Sequence, residues 1–107
     1  MSGPVDPHRT VAARVVEDID APDVGPGCLE HLANGYMMAC PGCTMQLVVP
    51  VNFPGKPPNT RPAYTVTAGD PDTLAGLTLS PSIHHPASHP GGCGWHGWLR
   101  EGRFVPC

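Results

Sequence analysis

Two short motifs limit what this chain can become: Cys40-Pro-Gly-Cys43 and Cys93-Gly-Trp-His96, each holding two ligand-type side chains two residues apart. A Pro-Gly step lets the backbone curl so that both sulfurs face one ion, and thiolates with an imidazole suit tetrahedral Zn²⁺. Forty-nine residues separate the pairs, so the intervening chain must return on itself to bring the two knuckles together. Loop-closure entropy grows only with the logarithm of length, which makes that return tolerable. The expected metal ligands are therefore Cys40, Cys43, Cys93 and His96 around one structural Zn²⁺, a closed set with no position for a reacting water.

The composition makes such a staple necessary. Leu, Ile, Val and Phe together number 21 of 107 residues, against 13 Gly and 15 Pro. A core that thin rarely holds a small domain unaided. The cysteine count of five is odd, so a complete disulfide framework would strand one thiol, and metal chemistry is the better reading. The net charge is −3, with Lys56 the single lysine. No basic stripe is available to pair with a phosphate backbone or anionic lipid, so neither nucleic acid nor membrane is an expected partner. No apolar run approaches the roughly 18–20 residues of a membrane span. The start, MSGPVDPHRT, lacks the basic flank and apolar stretch of a signal peptide, so a cytoplasmic location is expected.

Along the chain, residues 1–10 read as a flexible arm and 11–107 as a single zinc-stabilised domain. The architecture expected is mainly β, zinc-ribbon-like, with one short helix. Val11 to Asp18 is β-branched enough for a strand, and Cys28 to Ala33 (CLEHLA) reads as the helix, stopped by Asn34-Gly35. Tyr36 to Ala39 and Met45 to Val51 lead into and out of the first cysteine pair as strands. Pro54 to Pro62 is a surface loop, because proline donates no ladder hydrogen bond. Tyr64 to Thr67 and Leu74 to Leu79 are further strands, and Pro86 to Gly92 another loop. At the end, Gly97 to Arg100 and Arg103 to Pro106 form a hairpin about Glu101-Gly102. That register sets Arg100 opposite Arg103, Leu99 opposite Phe104 and, counting outward, His96 opposite Cys107. Cys107 could thus replace His96 as fourth ligand, which would free the histidine for another role.

Other candidates lie close by. His84, His85 and His89 cluster before the second knuckle and could form a second metal site, a pH-sensitive patch or a solvated loop. Ser82 and His84 would share one face of a strand, a nucleophile–base spacing whose side chains seldom reach each other. Trp95 and Trp98 flank His96 and serve either as packing over the metal or as a partner-binding surface. Tyr64 and Phe104 read as core.

The segment GGCGWHGWL resembles the second cluster-binding box of Rieske iron–sulfur proteins, through Cys93, His96, Gly97 and Trp98. The first Rieske box is Cys-x-His, whereas this chain has Cys40-Pro-Gly-Cys43; a Rieske centre needs two histidines. An iron–sulfur cluster is therefore the alternative cofactor to zinc. From Tyr36 to Cys107 the chain also resembles a small uncharacterised domain family of tailed phages and bacteria. The shared features are Cys40-Pro-Gly-Cys43, Thr78-Leu79-Ser80-Pro81-Ser82-Ile83, Cys93-Gly-Trp-His96 and Glu101-Gly102. Phage members of that family are often mislabelled ammonia monooxygenase. Relatives occur in bacterial operons for ubiquitin-like protein conjugation, with a suspected peptidase role. The resemblance implies the zinc site and a phage or bacterial source.

Three functions follow. The first is a phage-encoded accessory protein with a structural zinc, acting on an unknown protein partner in the host cytoplasm. The second is a metal- or Ser/His-dependent hydrolase, with Cys40, Cys43 and Cys93 holding zinc and His96, His84 or Ser82 performing chemistry, which requires an open metal position or a Ser–His pair within hydrogen-bond reach. The third is electron transfer through an iron–sulfur cluster. Because metal affinity becomes folding free energy when the unfolded chain presents no formed site, Cys40→Ala or Cys93→Ala is expected to yield poorly soluble or unfolded protein. A wild-type melting temperature in either variant contradicts this.

Overall fold

The computed structural model describes residues 9–87 and 92–107. Among the described residues ten strands form two sheets: β1 (Val11–Ala12), β2 (Arg14–Val16), β3 (Cys28–Leu32), β4 (Gly35–Ala39), β5 (Gln46–Asn52), β6 (Tyr64–Ala68), β7 (Thr78–Ser80), β8 (Ile83–His84), β9 (His96–Arg100) and β10 (Arg103–Pro106). One sheet has the order β1-β10-β9-β8 and the other β2-β3-β4-β5-β6-β7. Pairing is antiparallel except for β2 with β3 and β5 with β6. The fold is all-β, as the alternation of apolar and polar residues leads one to expect. No helix long and apolar enough to cross a membrane exists among the described residues. Of the expected arm over residues 1–10, only Arg9 and Thr10 lie within the described residues.

The expected helix over 28–33 is instead β3. Six residues are too few for a helix to hold by its own propensity, and sheet pairing offers more: Leu29 faces Met38 and His31 faces Tyr36. Glu30 accepts a hydrogen bond from the Ile19 backbone at 2.9 Å. Asn34 then sits in a two-residue hairpin turn between Leu32 and Gly35. Gly35 is glycine because β5 passes so close that a Cβ would collide with the Val49 carbonyl oxygen. The close approach of two strands, and not a left-handed helix cap, explains the Asn-Gly step.

Two other runs are subdivided. The apolar stretch from Val11 switches sheets at Ala13: its N–H donates to Gly102 O at 2.9 Å, and that of Arg14 to Gly27 O at 3.1 Å. The stretch from Leu74 becomes a strand only at Thr78, because Leu74 has φ 68° and drops its buried side chain into the core from a loop. The terminal hairpin has the expected register, Arg103 with Arg100 and Phe104 with Leu99. Glu101 and Gly102 take φ of 50° and 75°, the two positive values a tight two-residue turn of this hand requires.

Both sheets contribute to one buried cluster. Tyr36, Met38, Val49 and Leu79 come from the six-stranded sheet, and Ile83, Leu99 and Phe104 from the four-stranded one. Trp95 meets Phe104 edge-on at 6.0 Å and is 2 % exposed, so it packs. At the far end, the fully buried Tyr36 donates its hydroxyl to Pro71 O at 2.6 Å. Burial, helped by Asp72 and Asp70, pushes its phenol far above the usual range. The folded state keeps this proton where the unfolded chain releases it, so the contribution is complete below pH 10 and is lost as pH rises beyond it. Compared with Tyr36→Phe, the wild type should lose about 1 kcal/mol more stability between pH 9 and 11. Equal alkaline slopes in urea titrations of the two proteins would refute this.

Candidate functional site

The turn after β4 builds half of a cluster. Cys40 N–H donates to Met45 O at 2.9 Å, and Thr44 N–H to Cys40 O at 2.8 Å. Inside this loop the Gly42 amide points at Cys40 Sγ, 3.4 Å away. A Cβ on Gly42 would stand 2.8 Å from Cys93 Sγ and 3.0 Å from Trp95 Cβ, so only glycine lets the second half of the cluster close over the first. That second half comes from either side of the β8–β9 connection. His85 follows β8, its N–H donating to Trp95 O at 2.8 Å and its carbonyl accepting from Gly94 N–H at 2.9 Å. Cys93 precedes β9.

The ligand atoms of Cys40, Cys43, His85 and Cys93 all lie within 4.8 Å of one another. Cys40 Sγ is 3.7 Å from Cys93 Sγ, and Cys43 Sγ is 3.7 Å from His85 Nδ1. A tetrahedral ion with metal–sulfur bonds of about 2.3 Å spaces its sulfurs about 3.8 Å apart, so this arrangement could hold a metal. All five cysteines are free thiols. Burial pushes the Cys40 thiol up to about 12; a cation among these groups offsets that desolvation and favours the thiolate.

Of the residues expected in the set, the structure brings together Cys40, Cys43 and Cys93, while the imidazole within reach belongs to His85. His96 is the first residue of β9, where side chains alternate between faces. Trp95 is turned inward and His96 outward, away from the sulfurs. Cys107 is exposed, its N–H donating to His96 O at 3.0 Å, and it too lies outside the cluster. The cluster offers one imidazole, whereas a Rieske centre uses two. His89 lies outside the described residues.

On the outward face, Ser82 Oγ lies 2.8 Å from His96 Nε2. The pairing of Ile83 with Gly97 and of His84 with His96 makes this contact a diagonal one across the ladder. The Ser82–His84 spacing noted in the sequence puts both residues on this face, but the serine's partner is on the neighbouring strand. His84 stands beside the pair, its ring centroid 5.1 Å from that of His96. No carboxylate bonds to the His96 ring among the described residues. Ser82 is half-buried, and His84 and His96 are exposed, so the pair is open to solvent. Beside it runs a cleft of about 500 Å³ lined by Met37, Leu47, Val48, His84 and Pro86, with Val48 57 % exposed.

Sequence reasoning named Ser82 and His96 among the residues that could perform chemistry but did not pair them, because C-x-x-H read as a knuckle assigned His96 to the metal. The available signal was the hairpin register: it already placed His96 at the mouth of the ladder, and one further strand beyond it would have brought Ser82 alongside. The same knuckle reading hid His85, which was noted only as part of a histidine cluster.

No curated protein and no solved structure matches the chain. A family model described as the bacterial ubiquitination-like system serine protease, BubE, matches residues 16–107, a span that contains every strand from β3 onward, the cluster and the Ser82–His96 pair. The chain belongs to the BubE family.

Proposed function

We propose that this protein is a serine peptidase of a bacterial ubiquitin-like conjugation system, with Ser82 as nucleophile and His96 as general base, on a scaffold held by one structural Zn²⁺. The observation that carries the reading is the 2.8 Å contact between Ser82 Oγ and His96 Nε2. It is the nucleophile–base hydrogen bond that this chemistry requires. The family description, a serine protease, supports the same reaction class.

The steps use this chain's own residues. Ser82 donates its hydroxyl proton to His96 Nε2 as Oγ attacks the carbonyl carbon of a peptide or isopeptide bond. His96 then passes that proton to the leaving nitrogen, the C–N bond breaks, and an ester to Ser82 remains. Water repeats the sequence: it gives a proton to His96, attacks the ester, and Ser82 Oγ leaves with the proton returned. The substrate in this reading is the ubiquitin-like protein or its conjugate.

The metal's place in this scheme is geometric. Cys40, Cys43, His85 and Cys93 would hold it, and its chemistry there is to fix four side chains in a closed tetrahedron. His85 is three residues after Ser82, and Cys93 three before His96. Each half of the proposed pair is therefore tethered to the cluster by two intervening residues, Ile83 and His84 of β8 on one side and Gly94 and Trp95 before β9 on the other. An accessory protein that acts only by binding would use the exposed Met45 and Val48, but it leaves the Ser82–His96 contact without a purpose.

Three measurements test the scheme. A fluorophosphonate probe should label Ser82 in the wild type, and Ser82→Ala should abolish labelling. His96→Ala should lower turnover of the ubiquitin-like substrate by about 10³-fold or more; unchanged turnover in either variant removes the assignment. Elemental analysis should find one zinc per chain, retained in His96→Ala and lost in His85→Ala with a lower melting temperature. The opposite pattern returns His96 to the metal, and iron in place of zinc revives the cluster reading.

A further inference from the structure

The outward face of β9 continues past His96 to Trp98 and Arg100, at the two-residue interval of a strand. The Arg100 guanidinium lies 4.5 Å from the centre of the Trp98 ring. Directly across the hairpin from Arg100 is Arg103, and both arginines are exposed. Like charges facing each other across a ladder destabilise it, and this chain has only six Lys and Arg against nine Asp and Glu. A cross-strand arginine pair is therefore not a by-product of a basic composition. Among the described residues neither guanidinium has a carboxylate partner, although Glu101 sits between them in the chain.

The same ladder carries the proposed nucleophile. Ile83 pairs with Gly97, so Ser82, one step back, is level with Trp98, and the Arg100–Arg103 pair is the next outward position along. One outward step on a strand is about 7 Å, which is also the span of two residues of an extended peptide. A guanidinium over an indole face still has N–H groups to spare, and these match a carboxylate in bidentate fashion.

We propose that Arg100 and Arg103, with Trp98 as the platform for Arg100, form a carboxylate-binding subsite that selects substrates bearing a carboxylate about two residues from the bond attacked by Ser82. The carboxylate is an acidic side chain or a chain terminus; the chemistry is the same, and the experiment tells them apart. The assignment of Ser82 as nucleophile underlies the word substrate, and the test is built so that the two ideas fail separately.

The probes are fluorescein-labelled Gly/Ala octapeptides with Asp or Asn at successive positions, each made with a free or an amidated C-terminus. Their binding to the full chain carrying Ser82→Ala is followed by anisotropy. Peptides with a carboxylate at one position should bind about tenfold tighter than their uncharged counterparts, and the preference should vanish in Arg100→Gln/Arg103→Gln. A preference among the amidated Asp peptides identifies a side chain, and one among the free-acid Asn peptides identifies a terminus. Equal binding of charged and neutral peptides, or a preference that survives the double substitution, overturns the subsite. The melting temperature of the double variant should not fall below the wild type's, since both arginines are exposed and the like-charge pair is removed; Arg100→Lys/Arg103→Lys keeps the charge, and should recover part of the preference. Fluorophosphonate labelling of wild type and double variant separates the two ideas: intact labelling without carboxylate preference removes the subsite alone. Absent labelling removes the nucleophile, while the binding comparison still decides the subsite.

Discussion

Three sulfurs and one imidazole bring a turn of one sheet together with a connection of the other. Cys40 and Cys43 belong to the turn that closes β4 onto β5 in the six-stranded sheet, and His85 and Cys93 bracket the connection between β8 and β9 in the other. The apolar residues between the sheets form a single cluster, but β8 is only two residues long and has one neighbour. Two ladder positions cannot hold a strand in place. Its further anchors include the buried Ile83 side chain, the backbone bonds of His85 to residues 94 and 95 and whatever joins the four ligand atoms. The position of Ser82, which precedes this strand, is inherited from that anchorage.

Much of this was legible in the sequence where the determinants are local. The Glu101-Gly102 turn fixes a hairpin register by itself, and Pro-Gly between two cysteines states its own curl. Three of the four clustered side chains follow from that reasoning. What was not legible depends on non-local pairing. CLEHLA has helix-compatible residues, and only its place between β2 and β4 makes it a strand. C-x-x-H describes a knuckle when the chain turns between its ends; here β9 has begun by His96, and the strand's alternation turns the imidazole away. β8 has no sequence signature at this length, so its pairing with β9, and with it the Ser82–His96 contact, emerges only from the fold.

For the proposed reaction, exposure of the pair matters as much as its contact. No acid orients the His96 ring among the described residues, and the pair lies on an open sheet face next to an apolar cleft. Such a face suits a protein substrate, whose own bulk excludes water once docked, better than a small molecule that needs enclosing walls.

The strict alternation of the β8–β9 ladder assigns the two jobs of this protein to interleaved positions. Ile83, His85, Gly97 and Leu99 face inward, and Ser82, His84, His96, Trp98 and Arg100 face outward. A slip of one residue in either strand would exchange the sets, burying the serine or the imidazole and expelling a ligand or a core side chain in the same movement. Misregistered chains would thus lose the Ser82–His96 contact and the cluster of ligand atoms at once. Whatever keeps Ser82 beside His96 therefore keeps the cluster and the core side chains in place at these nine positions as well.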